Sequence, residues 1–538
     1  YRILIEYKTR KDSLALYWLR RDQTSDGTHP FLLTNNQFTY ARGIFPCQDS
    51  PQVRFTYTAE ISVPKAIRVI VGGRRCKSII KGNPDRYTHL FYETNPMPSY
   101  AIIIVAGLLR LHNFNRSKIV TLWAEEKHFE QSTRVLNFCK HAIDIANELC
   151  GFPIQEEYNI CVLPSNIPEI ELQCRTMIFV SSTLLDEDPV FMYNTIARKI
   201  AQSWAGGLVT CKNFQHLWLI KGFSIFISSE ILQSKYLPET DEITFMRRRI
   251  FTDLSVKMRL YGVDSQQKLV PSLTDILPKN ISKSVPDEVG YYLLDSLRND
   301  LGGSTVFAQY LKHYMRTFCY QSIDTIDYDW MVNLFSYFDS KHEILISRLD
   351  KWLYKLNLAS MYNRLYSSVQ NQCDILIQQW ITTNTTDNFS SVLTEILLCE
   401  NINKMYFLNY LYASPIALPI GKLMCIDCIF PFGKQTCQIR FLLLRLYIRN
   451  KWLKMVYNAL EFAREYCAST FASPIFHDLY KLEETRGLAI SEFTAIVGKK
   501  SKMLPQTMED IASVLNINLK DIYKLTSEES TLHVRTDQ

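Results

Sequence analysis

The stretch Thr195–Phe223, TIARKIAQSWAGGLVTCKNFQHLWLIKGF, constrains the chain more than any other. Ile196, Ile200, Ser203 and Trp204 recur at helical spacing, which predicts a helix with one buried face. Gly206 and Gly207 then break the pattern, and a second apolar helix starts near Leu217. The first helix carries the polar positions Arg198, Lys199 and Gln202, and the second carries Lys221. Two such helices joined by a glycine turn frame a site between them.

In a zinc peptidase of the His-Glu-x-x-His type, the first helix supplies two histidines four apart and the second supplies a glutamate. Here those positions read Arg198-Lys199-Ile200-Ala201-Gln202 and Lys221, with 18 residues between Gln202 and Lys221. The stretch resembles the M1 zinc aminopeptidases (gluzincins), and among them the leukotriene A4 hydrolase and aminopeptidase B branch, whose spacing is kept without a gap. Ser203-Trp204, Gly206, Leu208-Val209-Thr210, Trp218-Leu219 and Gly222 stand where that branch has the same residues. The segments Ala41–Pro51 and Phe471–Leu479 resemble it as well, the second as a turn of its C-terminal helical domain.

The resemblance runs collinearly from Tyr1 to about Asn518 and implies a multidomain α+β fold. An antiparallel β N-terminal domain, present in part, is expected over residues 1–112. A thermolysin-like catalytic-type domain follows over 113–352, a C-terminal α-helical domain of armadillo/HEAT type over 353–518, and a polar tail over 519–538. The family's β domain is longer at its start, so the chain is expected to be a fragment that opens mid-strand at Tyr1.

Local patterns give the same order. Tyr1–Tyr7 is β-branched and aromatic, and Val53–Val63 alternates, so both predict strands. Glu125–Cys150 predicts a helix, Tyr158–Leu163 and Met177–Val180 predict strands, and helices are expected through Tyr291–Phe318 and Ile344–Leu358. Phe441–Ile448 and Trp452–Tyr466 predict a helix pair broken at Arg449-Asn450.

A chain of 538 residues is too long for one core. Its formal charge of +6 on 60 basic and 54 acidic residues, with no dense basic run, gives no reason to expect nucleic acid. The longest apolar run, Ala101–Leu109, is far too short to span a membrane and predicts a buried strand. Fourteen cysteines show no repeated spacing, and the one CxxC, Cys425 and Cys428, has no second pair. Reduced thiols in a cytoplasmic protein fit that usage.

The resemblance implies one zinc ion, yet the residues at its positions suit none. Arg198 has no lone pair to give, and Lys221 binds metal only when deprotonated. Gln202 offers a weak carbonyl oxygen. At ~4 Å and an effective dielectric near ~20, each like-charge contact costs about 4 kcal/mol. The family's general base falls on Lys199, its amine-anchoring glutamate on Gln173, and its oxyanion tyrosine on Asp287. Its carboxylate-receiving basic pair falls on Ala468 and Thr470, and its epoxide-opening acid on Lys279. Gln37 matches a family pocket residue. No metal and no functional catalytic residue are therefore expected.

Three arrangements of the basic positions are open. Arg198 and Lys199 form a solvated helix edge, or they pair with Glu171 or Asp287 across the cleft, or Arg198, Lys199 and Lys221 together grip an anion. His216 is expected to pack. The function implied is an inactive peptidase homologue that binds or scaffolds an unknown protein or peptide. The alternatives are a zinc aminopeptidase, with or without epoxide hydrolysis, and a degenerate product with no role.

Overall fold

The computed structural model describes residues 2–10, 13–81, 83–113, 120–154, 157–172, 174–233, 250, 254, 269–272, 286–325, 329–353, 372–383, 394, 401–498 and 501–520. Lys279, Gln173 and residues 521–538 of the expected tail lie outside them.

Two antiparallel sheets form the N-terminal part. Leu16–Leu19, Phe31–Thr34, Ile104–Gly107 and Arg68–Val71 pair in that order. Arg54–Pro64, Arg86–Pro98 and Arg74–Ile79 make the other sheet. The apolar run 101–109 thus supplies an inner strand, with Val105 fully buried. The strand expected at Tyr1–Tyr7 does not form. Arg2–Arg10 joins no ladder, and Ile3, Leu4, Ile5 and Tyr7 are exposed. Strand-favouring side chains need a neighbouring strand to pack on, and none pairs with this segment among the described residues.

The central part is a four-stranded sheet. Val120–Ala124, Tyr158–Leu163 and Met177–Ser181 run parallel, and Arg110–Asn113 is antiparallel at one edge. Helix α1 (Thr133–Cys150) packs on it and ends at Gly151, whose φ of 60° closes the last turn. It begins eight residues later than the periodicity predicts, because Glu126–His128 is a separate 3-10 turn.

Helix α2 (Pro189–Ala201) starts where the Asp188 carboxylate accepts a hydrogen bond from the Val190 N–H at 2.9 Å, with Pro189 in the first turn. Past Gln202 the chain reverses through Gly206, at φ +127°, a conformation other residues avoid. Helix α3 (Trp218–Gln233) is apolar all round and buried on nearly every side, as a central helix must be. Helix α4 (Pro286–Leu301) crosses α3 where Gly222 meets Gly290. A Cβ on Gly222 would lie 2.8 Å from the Gly290 Cα. This crossing of bare backbones brings Asp287 to the end of α2.

The region Tyr291–Phe318 is two helices, α4 and Gly303–Thr317, separated at Gly302 (φ +126°) and Gly303 (φ +84°). His342–Leu353 follows.

The C-terminal part is helical, with a core that includes Phe407, Leu443, Tyr447, Ile475 and Phe493. Cys437–Arg449 and Val456–Glu465 form the expected pair, with Lys451 at φ +60° between them. Phe471–Leu479, expected as a turn, lies inside the helix Ser469–Lys481 despite Pro474. Phe471, Ala472, Ile475, Phe476 and Leu479 recur at helical spacing and are all buried. Burial of that face outweighs the one hydrogen bond that a proline removes.

Candidate functional site

Arg198, Lys199 and Gln202 sit at the C-terminal end of α2, where a helix favours positive charge. Arg198, a third exposed, forms an ion pair with the buried Asp287 in the first turn of α4. Lys199 is buried, and its Nζ donates to Glu169 Oε1 at 2.9 Å. Lys199, and more weakly Arg198 and Lys221, hold the Glu169 carboxyl below the usual carboxylate range. On α3 the buried Lys221 donates to the Glu171 carbonyl at 3.3 Å, with Glu171 Oε2 at 3.5 Å. Each cation of the cleft thus meets an acid, two of them from the segment Pro168-Glu169-Ile170-Glu171.

Gln37 fixes that segment from the N-terminal sheet region. Its Oε1 accepts from the backbone N–H of Glu171 at 2.8 Å and of Leu172 at 3.1 Å. The glycine turn below the site is held from the same side. Arg54 donates to the carbonyl of Gly207 at 3.0 Å and of Gln321 at 3.3 Å, and burial lowers its pKa to about 10. Tyr100 donates to the Gly206 carbonyl at 2.7 Å, and Arg175 pairs with the buried Glu93 at 3.2 Å. Gln202 is buried, and its carbonyl accepts from Gly207 N–H at 3.0 Å.

These residues do not fit a zinc ion. Zinc takes imidazole, thiolate or carboxylate donors. The three positions hold a guanidinium and an ammonium, each beside a carboxylate, and one amide. Lys199, for which the resemblance implies the general-base position, is itself a cation against Glu169. Asp287, for which the resemblance implies the oxyanion-donor position, would oppose a developing negative charge. Among the described residues, no group of three or more His, Cys, Asp or Glu side chains is placed to hold a metal.

The other sequence-derived positions fall elsewhere. His216 is buried, with Nδ1 2.9 Å from Thr325 Oγ1, which also accepts from Trp218 Nε1 at 3.0 Å. Ala468 is buried and Thr470 is exposed. Cys425 and Cys428 lie on the helix Ile420–Ile429, both with free thiols. No helix among the described residues is long and apolar enough to cross a membrane. Sequence reasoning missed Glu169. The available signal was charge balance: Glu169 and Glu171 alternate along one extended segment, facing cations on two helices.

Three family models match in consecutive order. The Peptidase M1 N-terminal domain matches residues 1–101, the Peptidase family M1 domain residues 135–344, and Leukotriene A4 hydrolase, C-terminal, residues 400–515. A leukotriene A-4 hydrolase of Xenopus laevis is 28% identical over 96% of this chain and 83% of its own length. Leucine aminopeptidase 2 of Emericella nidulans is 29% identical over 66% of this chain and 57% of its own, and that of Candida glabrata 29% over 77% and 63%. The chain thus spans under two thirds of these two fungal relatives. Among solved structures, native yeast LTA4 hydrolase shares the fold, with a TM-score of 0.75 at 23% identity over 95% of this chain and 82% of that one. Its complex with Bestatin gives 0.76 at 23% identity over 95% and 81%.

Proposed function

Because this chain belongs to peptidase family M1, in its leukotriene A4 hydrolase branch, and yet fills the branch's catalytic positions with ion pairs, we propose that it is a catalytically inactive member that acts as a binding or scaffold protein. The observation that carries this reading is the set of three ion pairs, Arg198–Asp287, Lys199–Glu169 and Lys221–Glu171. Among the described residues they place a cation at two of the three implied ligand positions and at the implied base position. The one pocket residue that matches, Gln37, is used to hold backbone.

The helical domain supports a partner-binding role. Ile420 and Met424 stand one turn apart on a helix with half their surface in solvent, and Ile416, just before that helix, is 40% exposed. Exposed apolar rows of this kind are common at interaction sites. Free thiols such as those of Cys139, Cys150, Cys161 and Cys211 suit a reducing compartment, the cytosol.

The test is bound zinc per chain on the purified full-length protein, with hydrolysis of a panel of aminoacyl fluorogenic substrates. No zinc and no turnover are expected. Near-stoichiometric zinc with chelator-sensitive turnover would overturn the reading in favour of a working aminopeptidase with substitute ligands.

A further inference from the structure

The helix Pro505–Val514 lies beside Leu16–Leu19, the strand at one end of its sheet. Gln506 Nε2 ties the two together, donating to the carbonyls of Leu16 at 3.2 Å and Ser13 at 3.4 Å. Between them runs a groove of about 1060 Å³. Leu14, Trp18 and Ala512 give it apolar walls, and Arg10 and Glu509 add charge of both signs. Trp18 is 55% exposed, and an indole of that size gains much from being covered.

The chain beyond Val514 is led back into this groove. Asn516 adopts φ 55°, and the Ile517 N–H donates to the Ala512 carbonyl at 2.9 Å. This left-handed close reverses the chain at the helix end. Asn518 then caps a new helix: its Oδ1 accepts from the Lys520 N–H at 3.1 Å, and Leu519 and Lys520 are already helical. Ile517, Asn518, Leu519 and Lys520 all line the groove. Residues 521–538 therefore continue from a helix start inside it. In the sequence, Leu519, Ile522 and Tyr523 recur at helical spacing within an otherwise polar tail. Asp521 falls in the first turn, where negative charge is favoured. Asp521 and Lys524 also carry charges opposite to Arg10 and Glu509 of the groove.

We propose that this groove is a docking site for the chain's own residues 521–526: the helix begun at Leu519 runs on along it and lays Ile522 and Tyr523 over Trp18. The contact ties the far end of the helical domain to the N-terminal sheet. The occupant is this segment because the chain enters the groove already helical, at Leu519 and Lys520, with an apolar face that follows at the right spacing. A tethered segment acts at an effective concentration on the order of 1 mM, so an outside peptide reaches Trp18 only by displacing it.

A helix this short is marginal in water on its own, so its amides are protected only if it docks. Hydrogen exchange on the full chain at the amides of Tyr523–Thr526 tests this. Protection of about tenfold over the intrinsic rate is expected in the wild type, at every protein concentration. Trp18→Ala removes the surface it rests on and should cut that protection to about threefold or less. Ile522→Asp with Tyr523→Asp should speed exchange at Ser513 and Val514, beside the groove, by about threefold. Intrinsic-rate exchange at Tyr523–Thr526 in the wild type, or protection that ignores Trp18→Ala, overturns the proposal. Protection that rises with protein concentration would give the groove to a second copy and overturns it too. If Trp18→Ala does not fold, the double variant decides alone: unchanged exchange at Ser513 and Val514 removes the segment from the groove.

Discussion

Arg198 on α2 and Asp287 on α4 form an ion pair across the cleft. The resemblance implies the first metal-ligand position for one and the oxyanion-tyrosine position for the other. Two positions for which the resemblance implies chemistry are here each other's partner.

That pair should show coupling in a double-mutant cycle. Arg198→Gln leaves the buried Asp287 carboxylate without its cation and should cost more than Asp287→Asn. The double variant should fall short of the sum by about 1 kcal/mol, since Arg198 is partly in water. Urea denaturation measures it, and strict additivity would remove the pair from the account.

Acid should expose the Lys199–Glu169 contact. The folded-state pKa of Glu169 is lowered, chiefly by Lys199. Its stabilisation is therefore present above the ordinary glutamate value and is lost as pH falls through the lowered one. Between pH 6 and pH 3 the wild type should lose more stability than Glu169→Gln, whose side chain does not titrate. Parallel curves for the two proteins would sink this assignment.

Restoring donors should restore metal. Arg198→His, Gln202→His and Lys221→Glu together rebuild a zinc donor set on the α2–α3 frame, and about one zinc per chain is expected for the variant and none for the wild type. Turnover should stay absent, because Lys199 and Asp287 still occupy the base and oxyanion positions. Calorimetry with zinc and the fluorogenic panel read the two separately; no zinc uptake would mean that the frame has moved from the family's geometry.

The α3–α4 crossing should tolerate no side chain. Gly290→Ala places a Cβ 3.0 Å from the Gly222 Cα, and Gly222→Ala places one 2.8 Å from that of Gly290. Each should cost about 1–3 kcal/mol by overpacking. Thermal unfolding with a midpoint unchanged in both variants would show that the helices separate freely.

Much of this was legible in the sequence, for a physical reason. The Thr195–Phe223 frame is written in helical periodicity and a glycine break, which are local, and α2, the Gly206 turn and α3 follow it closely. Strand Tyr158–Leu163 falls where its residues predict. Errors arose where the outcome depends on neighbours. Arg2–Arg10 has strand-like residues and joins no ladder among the described residues, and Phe471–Leu479 was drawn into a helix by the core around it. Arg198, Lys199, Gln202 and Lys221 were legible as the polar positions of the α2–α3 frame, and the structure places them at its cleft. Which acid each cation meets was not, because Glu169 and Glu171 arrive from a segment about thirty residues upstream of α2's end.

Gly222 and Gly290 also bear on how such a protein changes over time. Charged positions around the cleft can be exchanged one at a time, because water and a nearby opposite charge absorb each step. The glycine crossing has less room, since a side chain at Gly222 would meet the Gly290 backbone at 2.8 Å and one at Gly290 would press on that of Gly222 at 3.0 Å. The pair of missing side chains thus fixes how the two helices present the cleft, whichever residues the cleft itself carries.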